Sequence, residues 1–128
     1  RKDYPILSAD KFDTDYNQTG YPEISWHGLH LWEFDSSAST LTMGALFAGP
    51  ADKYDTADDQ FIYAAINMHW EMHGYELPNL PRGKEWHVVA NTGVEAPEDI
   101  WSEKKAPEVD DQGEVLVGPR SIILLVAK

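Results

Sequence analysis

Short apolar stretches separated by turn-forming residues are the feature that most limits what this chain can fold into. The 128 residues include 9 Gly and 8 Pro, spread along the chain. Between them, apolar residues recur at period two, as in residues 24–26 and 40–48, which is typical of β-strands. Several short strands joined by turns predict a sandwich or a barrel. The predicted fold class is therefore all-β.

Residues 61–68 form the most apolar stretch, and their pattern allows two interpretations. Phe61, Ile62, Ala65 and Ile66 could make one face of a helix capped by Asp58 or Asp59. The stretch is equally short enough for a central strand that is buried on both faces. Periodicity by itself does not decide between them.

The remaining pattern predicts where strands and loops alternate. Gly49 and Pro50 should end the strand of residues 40–48, and an exposed acidic loop should follow it. The stretches on either side of the turn at 78–84 look like a hairpin with a long loop. The further predicted segments are a short alternation at 29–32, the acidic loop at 51–60, a polar excursion at 93–113, and strands at 115–117 and 122–126.

Charge and composition exclude several classes of partner. The formal net charge is −12, which repels phosphate backbones and anionic lipid surfaces, so neither nucleic acid nor a membrane is an expected partner. No apolar run approaches the roughly 20 residues that span a bilayer. The absence of Cys excludes disulfides and Cys-type zinc sites. The first residues lack the apolar core of a signal peptide, and the expected location is the cytoplasm.

Motifs for catalysis are weak. Glycosidase chemistry needs two carboxyl groups about 5–10 Å apart in a cleft, and none of the 22 acidic residues is singled out for such a pair. There is no G-x-S-x-G motif and no glycine-rich phosphate loop. We therefore predict no catalytic residue and no cofactor on this chain.

Two groups of residues invite a test for metal binding. His69 and His73 would share a face in a helix, but in a strand they would lie roughly 13 Å apart, too far for one ion. Asp52, Asp55, Asp58 and Asp59 offer oxygen ligands for calcium but lack the EF-hand spacing. The prediction is that the chain holds no metal.

Aromatic rings next to polar groups are candidates for contact with carbohydrate. Sugar rings stack on Trp and Tyr faces while neighbouring polar side chains bond the hydroxyl groups. The alternative role for such rings is packing in the core or against another domain. The candidates form two clusters, Trp26 and His27 with Trp32, and Asn67 with His69 and Trp70.

Seven short segments carry a resemblance to a known family. They are RKDYPIL (1–7), ISWHG (24–28), FIYAAINMHW (61–70), YELP (75–78), WHVVANT (86–92), PEDI (97–100) and GPRSIILL (118–125). They resemble the C-terminal region of debranching enzymes of the isoamylase and glycogen-debranching type, and they occur in that family's order. One departure is Asn91, which stands where Asp is common.

The resemblance implies an architecture and a parent protein. Residues 1–20 would be the tail of an upstream (β/α)8 catalytic barrel and a linker, and residues 21–128 a C-terminal antiparallel β-sandwich of Greek-key type. The parent glycoside hydrolase would cleave α-1,6 branch links in glycogen or starch with carboxylates of its barrel, none of which maps onto this chain. The expected partners are that barrel and, at the two aromatic clusters, α-glucan. The resemblance also implies a strand at 61–68.

Two further functions stay open beside this accessory role. The chain could be a free-standing carbohydrate-binding or lectin-like sandwich, which would bind sugar alone through an exposed row of rings. It could also be an enzyme in its own right, which would release sugar from pullulan or limit dextrin. The accessory domain should instead carry an apolar face for the barrel and bind sugar weakly.

Overall fold

The computed structural model describes residues 24–32, 41–52, 55–80 and 83–128, and β-strands dominate that part of the chain. No α-helix occurs in these ranges, and a single turn of 3-10 helix lies at Glu103–Lys105. The predicted all-β class is confirmed. The strands are β1 (Ile24–His27), β2 (Thr42–Asp52), β3 (Asp55–Asn67), β4 (His73–Glu76), β5 (Trp86–Asn91), β6 (Glu114–Val117) and β7 (Ser121–Ala127).

The strands form two antiparallel sheets. The larger has five strands in the order β1-β2-β3-β7-β5, and the smaller pairs β4 with β6. The predicted hairpin between the strands flanking the turn at 78–84 is therefore wrong, because β4 and β5 belong to different sheets. Leu77 and Pro78 are buried where the chain crosses between the sheets, and the indole N–H of Trp86 donates to the Pro78 carbonyl oxygen at 3.0 Å.

β2 and β3 pair as a hairpin, and both strands are longer than the stretches predicted at 40–48 and 61–68. Pro50 pairs with Asp59, and Asp52 pairs with Asp55, so residues 55–60 belong to a strand rather than to an acidic loop. Among the described residues, β1 pairs with β2 from Gly44 to Phe47. A register shift between Pro50 and Asp52 accommodates the irregularity at the proline.

Residues 61–67 lie in a central strand, as the resemblance implied. β3 has β2 on one side and β7 on the other, and Phe61, Ile62 and Tyr63 are all buried. A helix face at 61–66 would have left part of the stretch exposed. The run is continuously apolar because both faces of β3 are covered.

The main core lies between the two sheets. Side chains of the larger sheet that point inward meet Tyr75 and Leu77 from the β4 side and Val115 and Val117 from β6. This arrangement is that of a sandwich with one large and one small sheet. The inward side chains of the larger sheet include Leu46, Ala48, Phe61, Tyr63, Ala65, Trp86, Ile123, Leu125 and Ala127.

The outer face of the larger sheet is also apolar. Ile62 and Val126 are buried on it, with Phe47, Val89 and Leu124 packed against them. The period-two set of the predicted strand at 40–48 is Leu41, Met43, Ala45 and Phe47, and the last three lie on this face of β2. The inward positions of β2 are instead Gly44, Leu46 and Ala48.

The alternation at residues 29–32 does not form a strand. These residues make bends and a turn, and Trp32 adopts a left-handed φ of 65°. The prediction for residues 1–20 lies outside the described residues. Within the described part of the chain, no helix has the length and apolar character needed to cross a membrane.

Candidate functional site at the aromatic end of the sheet

Both predicted aromatic clusters lie at one end of the five-stranded sheet. β1 and β3 end there and β2 and β7 begin there, since Gly44 pairs with both His27 and Ala65, and Asn67 pairs with both Thr42 and Ser121. The loops that leave these strand ends are residues 28–32 and 68–72. We call this region, after Trp32 and Trp70 in those loops, the aromatic end.

The sheet divides the first cluster. His27 points into the protein and is fully buried, whereas its neighbour Trp26 lies on the opposite face and is 47% exposed. The loop after β1 brings Trp32 back over His27, with ring centroids 4.6 Å apart in an edge-to-face arrangement. The structure therefore joins His27 to Trp32 and separates Trp26 from both.

Hydrogen bonds define the tautomer of His27. The backbone N–H of Trp32 donates to Nδ1 at 2.9 Å, so the neutral ring carries its proton on Nε2, which donates to Ser25 Oγ at 2.8 Å. Burial lowers the pKa of His27 below its ordinary value of 6.5. His27 is thus a neutral core group that holds the loop bearing Trp32, and its ring is not available to a sugar.

Asn67 is likewise a structural residue. It is fully buried at the end of β3, and its Oδ1 accepts the backbone N–H of His69 at 3.0 Å. Its amide nitrogen lies 2.8–3.2 Å from the carbonyl oxygens of Glu71, Val117 and Gly118. One side chain therefore ties the loop after β3 to the end of β6.

His69 and Trp70 form the exposed part of the second cluster. Their rings stack with centroids 4.2 Å apart and planes inclined by 27°. The backbone N–H of Arg120 donates to the His69 carbonyl oxygen at 3.0 Å, which attaches the loop to the β6–β7 turn. Trp70 is 68% exposed, so the loop presents a supported indole ring to solvent.

Imidazole and carboxylate groups meet on the same loop. His73 Nε2 lies 3.1 Å from His69 Nδ1, and ligand atoms of His69, Glu71 and His73 all lie within 4.8 Å of one another. The distance argument against metal binding assumed an extended chain from 69 to 73. That assumption is wrong, because β3 ends at Asn67 and the bend before β4 folds His73 back towards His69.

A second contact attaches the loop at 28–32 to the small sheet. His30 Nδ1 and Glu76 Oε1 are 2.7 Å apart, and the backbone N–H of Glu76 donates to the Leu29 carbonyl oxygen at 2.9 Å. The hydrogen bond with His30, helped by the Leu31 N–H, lowers the pKa of the Glu76 carboxyl group. Both side chains are exposed, so this pair orients the loop and contributes little stability.

Sequence reasoning named His69 and His73 as a possible pair of metal ligands but rejected the pair on distance, and it missed Glu71. Glu71 carried no signal, because an exposed acidic residue is common in a chain with 22 of them. The alternation of β1 could have separated Trp26 from His27, since adjacent strand residues point to opposite faces. The contact of Glu76 with His30 joins residues 46 apart and has no local signature.

A separate concave region lies away from the aromatic end. It has a volume of about 390 Å³ and is lined by residues that include Pro78, Lys84, Glu85, Trp86 and Gln112. Trp86 pairs with Ala127 at the opposite end of β7. The carboxyl group of Glu85, one of the lining residues, is hydrogen-bonded to that of Glu108, and this contact raises the pKa of Glu85.

Comparison with known proteins leaves the family open. Neither models of protein families nor curated proteins match this chain.

Proposed function

We propose that this chain is a non-catalytic accessory domain of a glycogen- or starch-debranching glycoside hydrolase. Its aromatic end packs on the (β/α)8 catalytic barrel of the same polypeptide and stabilises that barrel. The barrel supplies the carboxylates that hydrolyse α-1,6-glucosidic links. The observation that carries the proposal is the gathering of exposed apolar side chains at one end of the sandwich.

Five of the ten exposed large hydrophobic side chains on described residues lie in the loops or strand junctions of the aromatic end. Burying them against another domain removes apolar surface from water, which is the usual reason for such a patch. A domain surface scattered with single hydrophobic residues would need no such partner. The five are Trp32, Leu41, Met68, Trp70 and Met72.

The resemblance supports the same surface. Two of the segments that resemble debranching enzymes, residues 24–28 and 61–70, run directly into the loops of this end. Asn67 and His27, which lie within these segments, are buried and hold those loops in place by accepting backbone N–H groups. Docking of this end on a neighbouring domain would account both for the resemblance of these segments and for the hydrogen bonds that hold their loops.

The most direct test is the complete reading frame of the gene. The proposal expects codons for a (β/α)8 barrel with paired catalytic carboxylates immediately upstream of Arg1. A reading frame in which no such barrel precedes this domain would refute the accessory role.

A substitution in the longer protein tests the docking surface. Trp70→Ser should lower the melting temperature of the barrel-containing enzyme while leaving that of the isolated chain within about 2 °C of its original value. Ile100→Ser is the matched control, because Ile100 is 71% exposed in the 93–113 segment, outside the loops of the aromatic end. Equal effects of the two substitutions would contradict docking through this end.

A free-standing carbohydrate-binding module is the second candidate, and the exposed Trp70 ring stacked on His69 favours it. Titration of the isolated chain with maltoheptaose separates the two. The accessory role expects a flat isotherm up to millimolar sugar, whereas a binding module would saturate and lose affinity in Trp70→Ser. Release of reducing ends from pullulan by the isolated chain would instead indicate an enzyme.

A cytoplasmic location belongs to the proposed accessory role and fits the absence of Cys.

A further inference from the structure

We propose that His69, Glu71 and His73 form a binding site for a zinc-class divalent cation. The ligands are Nδ1 of His69, Nε2 of His73 and a carboxylate oxygen of Glu71. This site is independent of the proposed function, because it rests only on the geometry of the loop between β3 and β4.

The spacing of the two imidazole nitrogens suits chelation. At the 2.0–2.1 Å typical of zinc–nitrogen bonds, about 3.3 Å separates two nitrogens at a tetrahedral angle. The observed separation of His69 Nδ1 and His73 Nε2 is 3.1 Å. An ion can therefore be accepted by small rotations of the side chains, without moving the backbone.

The donor set indicates the class of metal. Two imidazoles and one carboxylate are the ligands of many zinc sites that keep a position open for water, and hard cations such as Mg²⁺ prefer oxygen. His69 and His73 are partly exposed and Glu71 is exposed, so an ion can enter from solvent. In the isolated chain, the fourth position of a tetrahedral ion would then face water.

The backbone that carries the ligands is already held in place. Asn67 binds the His69 N–H and the Glu71 carbonyl oxygen, and Arg120 binds the His69 carbonyl oxygen. His73 is the first residue of β4 and pairs with Val117. Preorganisation of this kind lowers the entropic cost of assembling ligands around an ion.

Metal binding would also restrict the motion of the exposed Trp70 indole. Trp70 stacks on the His69 ring, and coordination through Nδ1 stops that ring from turning. In the absence of an ion, the same nitrogen accepts the Glu71 N–H at 3.2 Å and contacts His73. The alternative to the site is therefore a hydrogen-bonded pair of imidazoles.

Calorimetric titration of the EDTA-treated, dialysed chain with ZnCl₂ at pH 7.5 tests the proposal. We expect one ion per chain with a micromolar or tighter Kd. His73→Ala and Glu71→Gln should each weaken binding by at least about tenfold. His30→Ala is the matched control, because His30 is also paired with a carboxylate but lies outside the cluster, and it should bind as the original chain does.

Cobalt provides a readout that a structural role of these residues would not produce. Co²⁺ bound by nitrogen and oxygen at this site should give a visible absorption band and quench the fluorescence of Trp70. Both effects should vanish in the His69→Ala/His73→Ala double variant. Melting curves without metal identify any variant that fails to fold, and the exposed Glu71→Gln change then carries the test. Absence of zinc binding, or equal binding by the double variant, would overturn the site.

Discussion

Two buried tyrosines at adjacent positions in the core differ in how their hydroxyl groups are satisfied. The Tyr75 hydroxyl donates to the Ile66 carbonyl oxygen at 2.5 Å, and burial raises its pKa to about 12. Burial also raises the pKa of Tyr63, but its hydroxyl has no hydrogen-bond partner among the described residues. The Tyr63 hydroxyl sits against Gly44, where a Cβ atom would collide with it.

Removing the two hydroxyl groups should therefore change the free energy of unfolding differently. Tyr63→Phe should leave the free energy of unfolding unchanged or raise it by up to about 1 kcal/mol, because it eliminates an unsatisfied buried polar group. Tyr75→Phe should lower it by about 1 kcal/mol, because it leaves the Ile66 carbonyl oxygen without that donor. Urea denaturation of both variants checks this, and equal destabilisation would contradict it.

His27 should make the stability depend on pH. Because its pKa in the folded protein lies below the 6.5 of an unfolded chain, the unfolded state binds more protons just below pH 6.5. The contribution of His27 to the free energy of unfolding is fully present above pH 6.5. It is lost as pH falls from there towards the pKa of His27 in the folded state. His27→Gln, whose amide can accept from Trp32 and donate to Ser25, should remove this part of the pH dependence.

Urea denaturation at pH 7.5 and pH 5.5 measures the effect of His27. The original chain should lose more stability between the two pH values than His27→Gln does. If both proteins lose the same amount, groups other than His27 cause the acid sensitivity.

At the scale of the element, the loop between β3 and β4 depends on one side chain. Asn67→Ala would leave the His69 N–H and the Val117 and Gly118 carbonyl oxygens without their buried partner. We expect a loss of about 2–4 kcal/mol in the free energy of unfolding. Amide hydrogen exchange should also speed up at His69 to Glu71 before the rest of the sheet.

Asn91 is the control for that substitution, because it makes a simpler contact at the end of β5. Its Oδ1 accepts the Gly93 N–H at 2.9 Å, a role that a carboxylate oxygen performs equally well. Asn91→Asp should therefore change stability by less than about 0.5 kcal/mol.

At the scale of the whole molecule, β7 joins the two halves of the larger sheet. It lies between β3 and β5, and Ile123 and Leu125 belong to the core between the sheets. A chain truncated after Gly118 should lose the cooperative unfolding transition, because β5 then has no neighbour in the sheet. Circular dichroism during heating checks this. Ile122→Thr, on the partly exposed outer face of β7, should keep the transition.

Local pattern was sufficient for the positions of most strands. Period-two alternation located β1 and most of β2, and the aliphatic run at 122–126 located β7. These predictions succeed because a half-buried strand imposes its alternation on its own residues. The end of β2 was misplaced, since pairing with residues 55–60 of β3 continues the strand past Gly49 and Pro50, and that pairing is not a property of residues 49–50.

Pairing between strands and the assembly of the aromatic end were decided by tertiary structure. Nothing in residues 73–91 reveals that β4 pairs with β6 and β5 with β7, because backbone hydrogen bonds carry no signature of their partner. The meeting of His69 with His73 depends in the same way on a bend that Asn67 holds through residues 50 positions away. The sequence by itself determined an acidic, cysteine-free, all-β chain and two aromatic clusters. The tertiary structure decided which rings are buried, which are exposed, and which side chains meet.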